Sequence, residues 1–260
     1  MMGKKVIYFG DTSLDTAASY LAGIMNYYHI TYIYIPSNEQ CNDHILTQPE
    51  IGLIVLSDYP SSNFTSKQFK LITSLVADGT GLLMIGGWES FTGLNGGYNS
   101  TPLADILPVV MSDQDDRVNW PYPCIICKVC DHEILDNLPF KSPPGIGGFN
   151  KVTVKDDGHV LLNCIRYTTG TTPLEEGTVS ESGNCVFAAV DVNPLLVVGF
   201  YGQGRTAAFA SDVAPHWASG LVDWGLPRIR LMSGLSVVEV GCHYASLFRN
   251  LMLWTAGLHL

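Results

Sequence analysis

The sequence predicts an α/β fold, a mostly parallel sheet with helices on both faces and extra antiparallel strands in its second half. Three observations carry this. The strand candidates of the first half, 6–9, 51–56 and 81–85, are unbroken apolar runs, as expected for strands buried on both faces. Segments of helical period separate them. After residue 109 the pattern changes to a succession of short β-branched runs.

Residues 6–9 form a buried strand that ends in Gly10-Asp11-Thr12-Ser13, where Asp11, Thr12 or Ser13 can cap a following helix. Apolar residues at 14, 17, 18, 21, 24, 25 and 28 keep helical spacing. Residues 31–35 are β-branched and aromatic and stop at Pro36, giving a second strand; 51–56 is a third, ending in Ser57-Asp58-Tyr59-Pro60. Residues 65–77 read as a helix with Phe69, Ile72, Leu75 and Val76 on one face, and 81–85 as a fourth strand closing on Gly86-Gly87. In the second half, 109–110, 125–129, 152–154, 160–162, 186–190, 195–201 and 206–210 are strand candidates. The last two are joined by Gly202-Gln203-Gly204, a hairpin signal. A final helix spans about 243–258 with Leu247, Leu251 and Trp254 as its stripe. Segments 168–184 and 223–241 read as loops or insertions within a single domain covering 1–260, since no linker or repeat divides the chain. The glycine-rich stretches 93–97 and 145–148 match no nucleotide fingerprint and read as loops.

Composition narrows the function classes. The chain is 47% hydrophobic but only 15% charged, against an average near 25%. Little surface is left for solvated tails, and homo-oligomers are expected. A net charge of −10 with no basic run excludes a nucleic-acid partner. The four-residue apolar run near the N-terminus is too short for a signal peptide, and no stretch is long enough to span a membrane. A cytoplasmic location with reduced thiols is therefore expected for the seven cysteines. Cys124, Cys127 and Cys130 with His132 have zinc-like spacing. They lie on an Ile/Val-rich strand, however, where alternate side chains diverge, so they read as small buried hydrophobes and no metal is expected. No cofactor is expected either.

Three stretches carry a family pattern. One is Gly10-Asp11-Thr12-Ser13 opening a helix. The second is Ile85-Gly86-Gly87-Trp88-Glu89-Ser90-Phe91, followed by Gly96-Gly97-Tyr98 and by Thr101-Pro102-Leu103 up to Pro108. The third is Gly202-Gln203-Gly204-Arg205, followed by Ser211-Asp212-Val213-Ala214-Pro215-His216-Trp217. Together they resemble the putative glutamine amidotransferase family of largely uncharacterised bacterial proteins, from about residue 5 to the C-terminus. The resemblance implies a flavodoxin-like sheet of the class I glutamine amidotransferase type and no established activity.

Working class I glutaminases carry a cysteine on the sharp turn after a central strand, with backbone N–H groups behind it and a histidine to keep the thiol ionised. Here that turn is 86–90, and no cysteine lies between Cys41 and Cys124. Thiol-based glutamine hydrolysis therefore has no nucleophile, and a small-ligand-binding or accessory role is expected. Ligands of open α/β sheets sit beyond the carboxyl ends of the strands. That rule gathers Asp11, Ser13, Asp58, Trp88, Glu89 and Ser90 as ligand-binding candidates, with Asp212 and His216 as a carboxylate–imidazole pair for acid–base work. A hydrolase or transferase using Asp212 and His216 is the alternative. The bland reading, that Ser90 and Asp212 merely cap turns and His216-Trp217 packs locally, stays open beside both. A third alternative is an interaction protein in which 223–241 packs on a neighbouring subunit.

Overall fold

The computed structural model describes residues 4–171 and 185–258. Its first half runs β1 (Lys5–Gly10), α1 (Ala18–Tyr27), β2 (Tyr32–Ile35), α2 (Asp43–Leu46), β3 (Ile51–Ser57), α3 (Ser66–Ala77), β4 (Gly81–Ile85) and α4 (Leu103–Ile106). The second half runs β5 (Val109–Val110), β6 (Arg117–Lys128), β7 (Gly145–Asn150), β8 (Thr153–Val154), β9 (His159–Thr171), β10 (Cys185–Tyr201) and β11 (Gly204–Phe209). It closes with α5 (Pro215–Val222), β12 (Arg228–Ser233), β13 (Ser236–Gly241) and α6 (Cys242–Thr255).

The main sheet has the order β2-β1-β3-β4-β11-β10-β9-β6-β7. From β2 to β11 every pairing is parallel. With β11 counted as the fifth strand, this is the flavodoxin order 2-1-3-4-5. From β11 outward every pairing is antiparallel, so β10, β9, β6 and β7 extend the parallel core as a meander-like wing. The chain leaves β1 for β2 in one direction and β3 for β4 in the other. Right-handed crossovers in opposite directions place α1 and α3 on opposite faces. Accordingly α1 packs with α6 and the β12–β13 hairpin, whereas α3 packs with α2 and α4. Covered on both sides, β4 is buried at every residue, which is why its sequence has no polar alternation. Helix α3 begins with a capping box: Gln68 N donates to Thr65 Oγ1 (3.3 Å) and Thr65 N donates to Gln68 Oε1 (2.8 Å).

Several sequence expectations are corrected. Segment 145–148 is not a loop but the start of the edge strand β7. Gly148 is required by packing, since a Cβ there would lie 2.4 Å from Trp217 Nε1 of α5. Strand β6 extends well before 125, through Pro121 and Pro123. Those prolines fall in a break of register between Asn119 and Cys124, where no ladder N–H is needed. The candidates 186–190 and 195–201 fuse into one strand across Pro194, again at a register shift. Segment 223–241 is not a loop: most of it forms the β12–β13 hairpin, whose Leu231 is buried against Gly23 of α1. Of the expected insertion 168–184, residues 168–171 belong to β9 and 172–184 lie outside the described residues. Among the described residues no helix is long and apolar enough to cross a membrane.

Candidate functional site

The parallel strands β1, β3, β4 and β11 end together and deliver Asp11, Asp58, the turn 86–90 and Asp212. Two of these carboxylates sit on residues with positive φ, Asp11 at 51° and Asp58 at 46°, a conformation that Asp tolerates better than most side chains. Just before Asp11, a Cβ at Gly10 would lie 1.6 Å from Ser57 O. Only glycine lets β1 and β3 close up there and turn Asp11 into the strand-end region.

Asp11 is 5% exposed. Its Oδ2 accepts from Tyr8 Oη (2.5 Å) and Ser57 Oγ (3.5 Å). Its carbonyl accepts from Tyr34 Oη (2.8 Å) and Ser37 N (2.9 Å), which fixes the turn. Burial holds the Asp11 carboxyl well above the usual range, and the charges of Asp212 and Asp58 push it further. Burial, then repulsion from Asp212, raises Asp58 to about 7. Burial likewise raises Asp212 to about 6. The three form one electrostatic unit in which the ionisation of one carboxyl raises the others. Glu89, partly buried at its edge, is also raised by desolvation.

The turn after β4 is where a glutaminase would hold its cysteine. Here each successive amide already has an internal acceptor. Gly86 N donates to Phe209 O (2.8 Å) and Ser211 O (3.1 Å). Gly87 N donates to Asn150 Oδ1 (2.9 Å). Trp88 N donates to the Asp58 carboxylate, and Glu89 N donates to Asp58 Oδ1 (2.8 Å). The turn also fails to open into a helix; residues 86–97 stay in bends and turns. A thiolate placed there would find neither a free oxyanion amide nor a helix N-terminus.

What holds those turns is a second polar hub. Asp116, 4% exposed, accepts from Thr92 N (3.1 Å), Gly93 N (2.9 Å) and Asn150 Nδ2 (2.8 Å). Asn150, at the end of β7, also donates through Nδ2 to Gly87 O (3.0 Å), so its amide clamps both backbone groups of Gly87. Burial raises the Asp116 carboxyl, while the Asn150 and backbone donors oppose that shift. Trp88 is 43% exposed, with the Arg117 guanidinium 4.5 Å from its ring centroid and the His216 ring at 5.8 Å. Arg117 is in turn fixed by Asp115 through two bonds of 2.9 and 2.7 Å.

A cavity of about 310 Å³ opens at the strand ends, and Asp11, Asp58, Trp88 and Glu89 line it. The other candidates take different places. Ser90 is buried and its Oγ accepts from Asp58 N (2.9 Å), so it supports Asp58 from outside the cavity. Ser13 accepts from Asp15 N (3.0 Å) and is not part of the wall. Asp212 Oδ1 accepts from Ala214 N (2.9 Å) at the entry to α5. His216 is exposed beside Trp88, and among the described residues no hydrogen bond joins it to Asp212. Cys124 is buried and Cys130 exposed, with Cys127 between, and burial raises the Cys124 thiol to about 11. Sequence reasoning missed Asp116, Arg117 and Asn150. The acidic pair Asp115-Asp116 and the strand-terminal Asn150 were visible, but no local pattern connects them to Gly87.

Fold and site together define a flavodoxin-like α/β protein of the amidotransferase type whose strand-four turn is closed by an internal carboxylate instead of bearing a thiol. The chain belongs to the family described as putative glutamine amidotransferase, whose model matches residues 8–189 and 169–228. It is similar to a cytoplasmic protein of Salmonella typhimurium LT2, at 27% identity and a TM-score of 0.68, covering 96% of this chain and 99% of that one. A second cytoplasmic protein of Salmonella typhimurium shares the fold at 24% identity and a TM-score of 0.69, over 96% of this chain and 98% of that one. The fold is also shared with Agd3, a carbohydrate deacetylase, at 11% identity and a TM-score of 0.53, over 85% of this chain and 31% of that one. No curated protein matches the chain at a significant level.

Proposed function

We propose that this protein uses the amidotransferase scaffold as a small-ligand-binding or accessory module and does not hydrolyse glutamine. The observation that carries this is the closed turn. The amides of residues 86–89 all donate to internal acceptors, and Asp58 takes those of Trp88 and Glu89, so none is left free to hold an oxyanion. A carboxyl at that point disfavours a tetrahedral oxyanion by occupancy, and by like-charge repulsion once it is ionised. The adjacent cavity of about 310 Å³, at the small end of the range for ligand sites, supports the binding role. Ammonia release from glutamine by the purified protein tests the reading. Background release is expected, and robust turnover, whether or not it survives substitution of the cysteines, would end it.

A second reading, hydrolysis or group transfer with His216 as proton carrier, draws on the placement of its ring against Trp88 at the cavity wall. It requires a nucleophile on the ligand or on water, because no protein nucleophile bonds to His216 among the described residues. An ester- or amide-hydrolysing activity lost in His216→Ala would favour it.

A further inference from the structure

The strand-end cavity has an unusual charge balance. Three of its lining residues, Asp11, Asp58 and Glu89, are carboxylic acids, and no Lys, Arg or His lines it among the described residues. Asp212 adds a fourth carboxyl close enough to raise both Asp11 and Asp58 by repulsion. Such a group of acids is costly to bury without a counter-charge. The internal donors are distributed unevenly. Asp58 has the turn amides, and Asp212 has the amides entering α5. For Asp11, both hydroxyls that reach it bond to Oδ2, so Oδ1 of this 5%-exposed side chain has no donor among the described residues although Asp11 lines the cavity. The rest of the wall includes the hydroxyls of Thr12, Thr16 and Ser37 and the indole of Trp88, a ring that already carries one cation, Arg117, at 4.5 Å.

We infer that the ligand of this cavity is a small organic cation bearing a primary ammonium group, which donates to Asp11 Oδ1 and is balanced by Asp58 and Glu89. This rests on the small-ligand reading above and specifies its chemistry. An ammonium group has three donors and no acceptor, and its charge matches a wall that carries three carboxyl groups and no basic side chain among the described residues. A bare metal ion fits less well, because no group of three or more His, Cys, Asp or Glu among the described residues is arranged to hold one. Hydroxyl groups on the remaining wall suit a ligand whose other end is polar, and the indole can take a second cationic centre.

Isothermal titration with ethanolamine and putrescine, against their neutral counterparts ethylene glycol and 1,4-butanediol and against magnesium chloride, tests this. The expected result is saturable binding of at least one amine, about tenfold or more tighter than its diol, and lost in Asp11→Asn. Glu89→Gln, a partly exposed position, serves as the second variant. It is expected to weaken the amine by about tenfold while thermal unfolding shows an intact fold. The inference is overturned if the diols bind as well as the amines, if neither amine binds, or if the amines bind equally to wild type and both variants. It is also overturned if magnesium alone binds and depends on Asp11. These failures leave the broader reading standing, because that reading fails only on glutamine turnover, which the separate ammonia assay reports.

Discussion

The carboxylate of Asp58 occupies the space where Gly87 would carry a side chain: a Cβ built on Gly87 would lie 2.0 Å from Asp58 Oδ1 and 2.3 Å from Cγ. The absent side chain at one residue and the acid at the other are a single device. Gly87 opens the room that lets the end of β3 reach the turn after β4 and take its amides.

This pairing sets the first prediction. Gly87→Ala is expected to destabilise the fold by about 3 kcal/mol, because the nearest atoms belong to a side chain held by backbone donors and not to a flexible end. Asp58→Ala clears that space but leaves the amides of Trp88 and Glu89 without their acceptor. In a double-mutant cycle by urea denaturation, the two substitutions should therefore be less than additive, with a coupling of about 1 kcal/mol or more. Strict additivity would show that the two residues do not share the space.

The second prediction concerns pH. Asp58 and Asp212 hold their protons up to about 7 and about 6 in the folded state, against about 3.9 for an unperturbed aspartate. The folded state therefore binds protons more tightly than the unfolded chain between pH 4 and 7. The stability these groups contribute is fully present below the unfolded value and is lost as pH rises through the folded values. Asp43, Asp115 and Asp191 are lowered by bonds to Lys67, Arg117 and Arg166, so their contribution is present above the unfolded value and lost only in stronger acid. Tm is expected to be highest near pH 5 and to fall by several degrees towards pH 8. Asp58→Asn, which keeps an amide oxygen for Glu89 N and removes one buried charge, should shrink that fall and raise Tm at pH 8. A Tm that climbs steadily from pH 5 to 8 would contradict the arrangement.

Asp116 gives the third. Its two oxygens take the amides of Thr92 and Gly93 and the side chain of Asn150, and Asn150 in turn holds Gly87. Asp116→Ala is expected to cost about 3 kcal/mol by leaving these buried donors unpaired. Amide hydrogen exchange should locate the damage. Thr92, Gly93 and Gly87 are expected to exchange faster, while β1 and β3 keep their protection. Uniform acceleration across the sheet would point to a global effect and not to a clamp on the turn.

The sequence by itself determined the parallel half of this protein. Runs such as 51–56 and 81–85 are apolar at every position because both faces of those strands are covered, and that information is written locally. It also determined that no thiol stands after β4, and it placed Asp11, Asp58 and Glu89 near one another through the single rule that parallel strands end on a common edge. Only the tertiary structure decided what those groups do. Gly147 and Gly148 carry no strand signal, yet they lie in β7, paired with β6, and Gly148 is a glycine because Trp217 leaves no room there for a larger residue. Asp212 and His216, four positions apart, are not joined, because the turn before α5 takes the carboxylate for itself. Asn150 reaches Gly87 across 63 residues and Asp116 reaches Gly93 across 23. Periodicity records how a segment is buried. It does not record which distant donor meets which acceptor, since that depends on strand order. The turn that lacks a cysteine is therefore legible in the sequence, while its closure by Asp58 and its support by Asn150 and Asp116 exist only once β3, β4 and β7 are brought to the same edge.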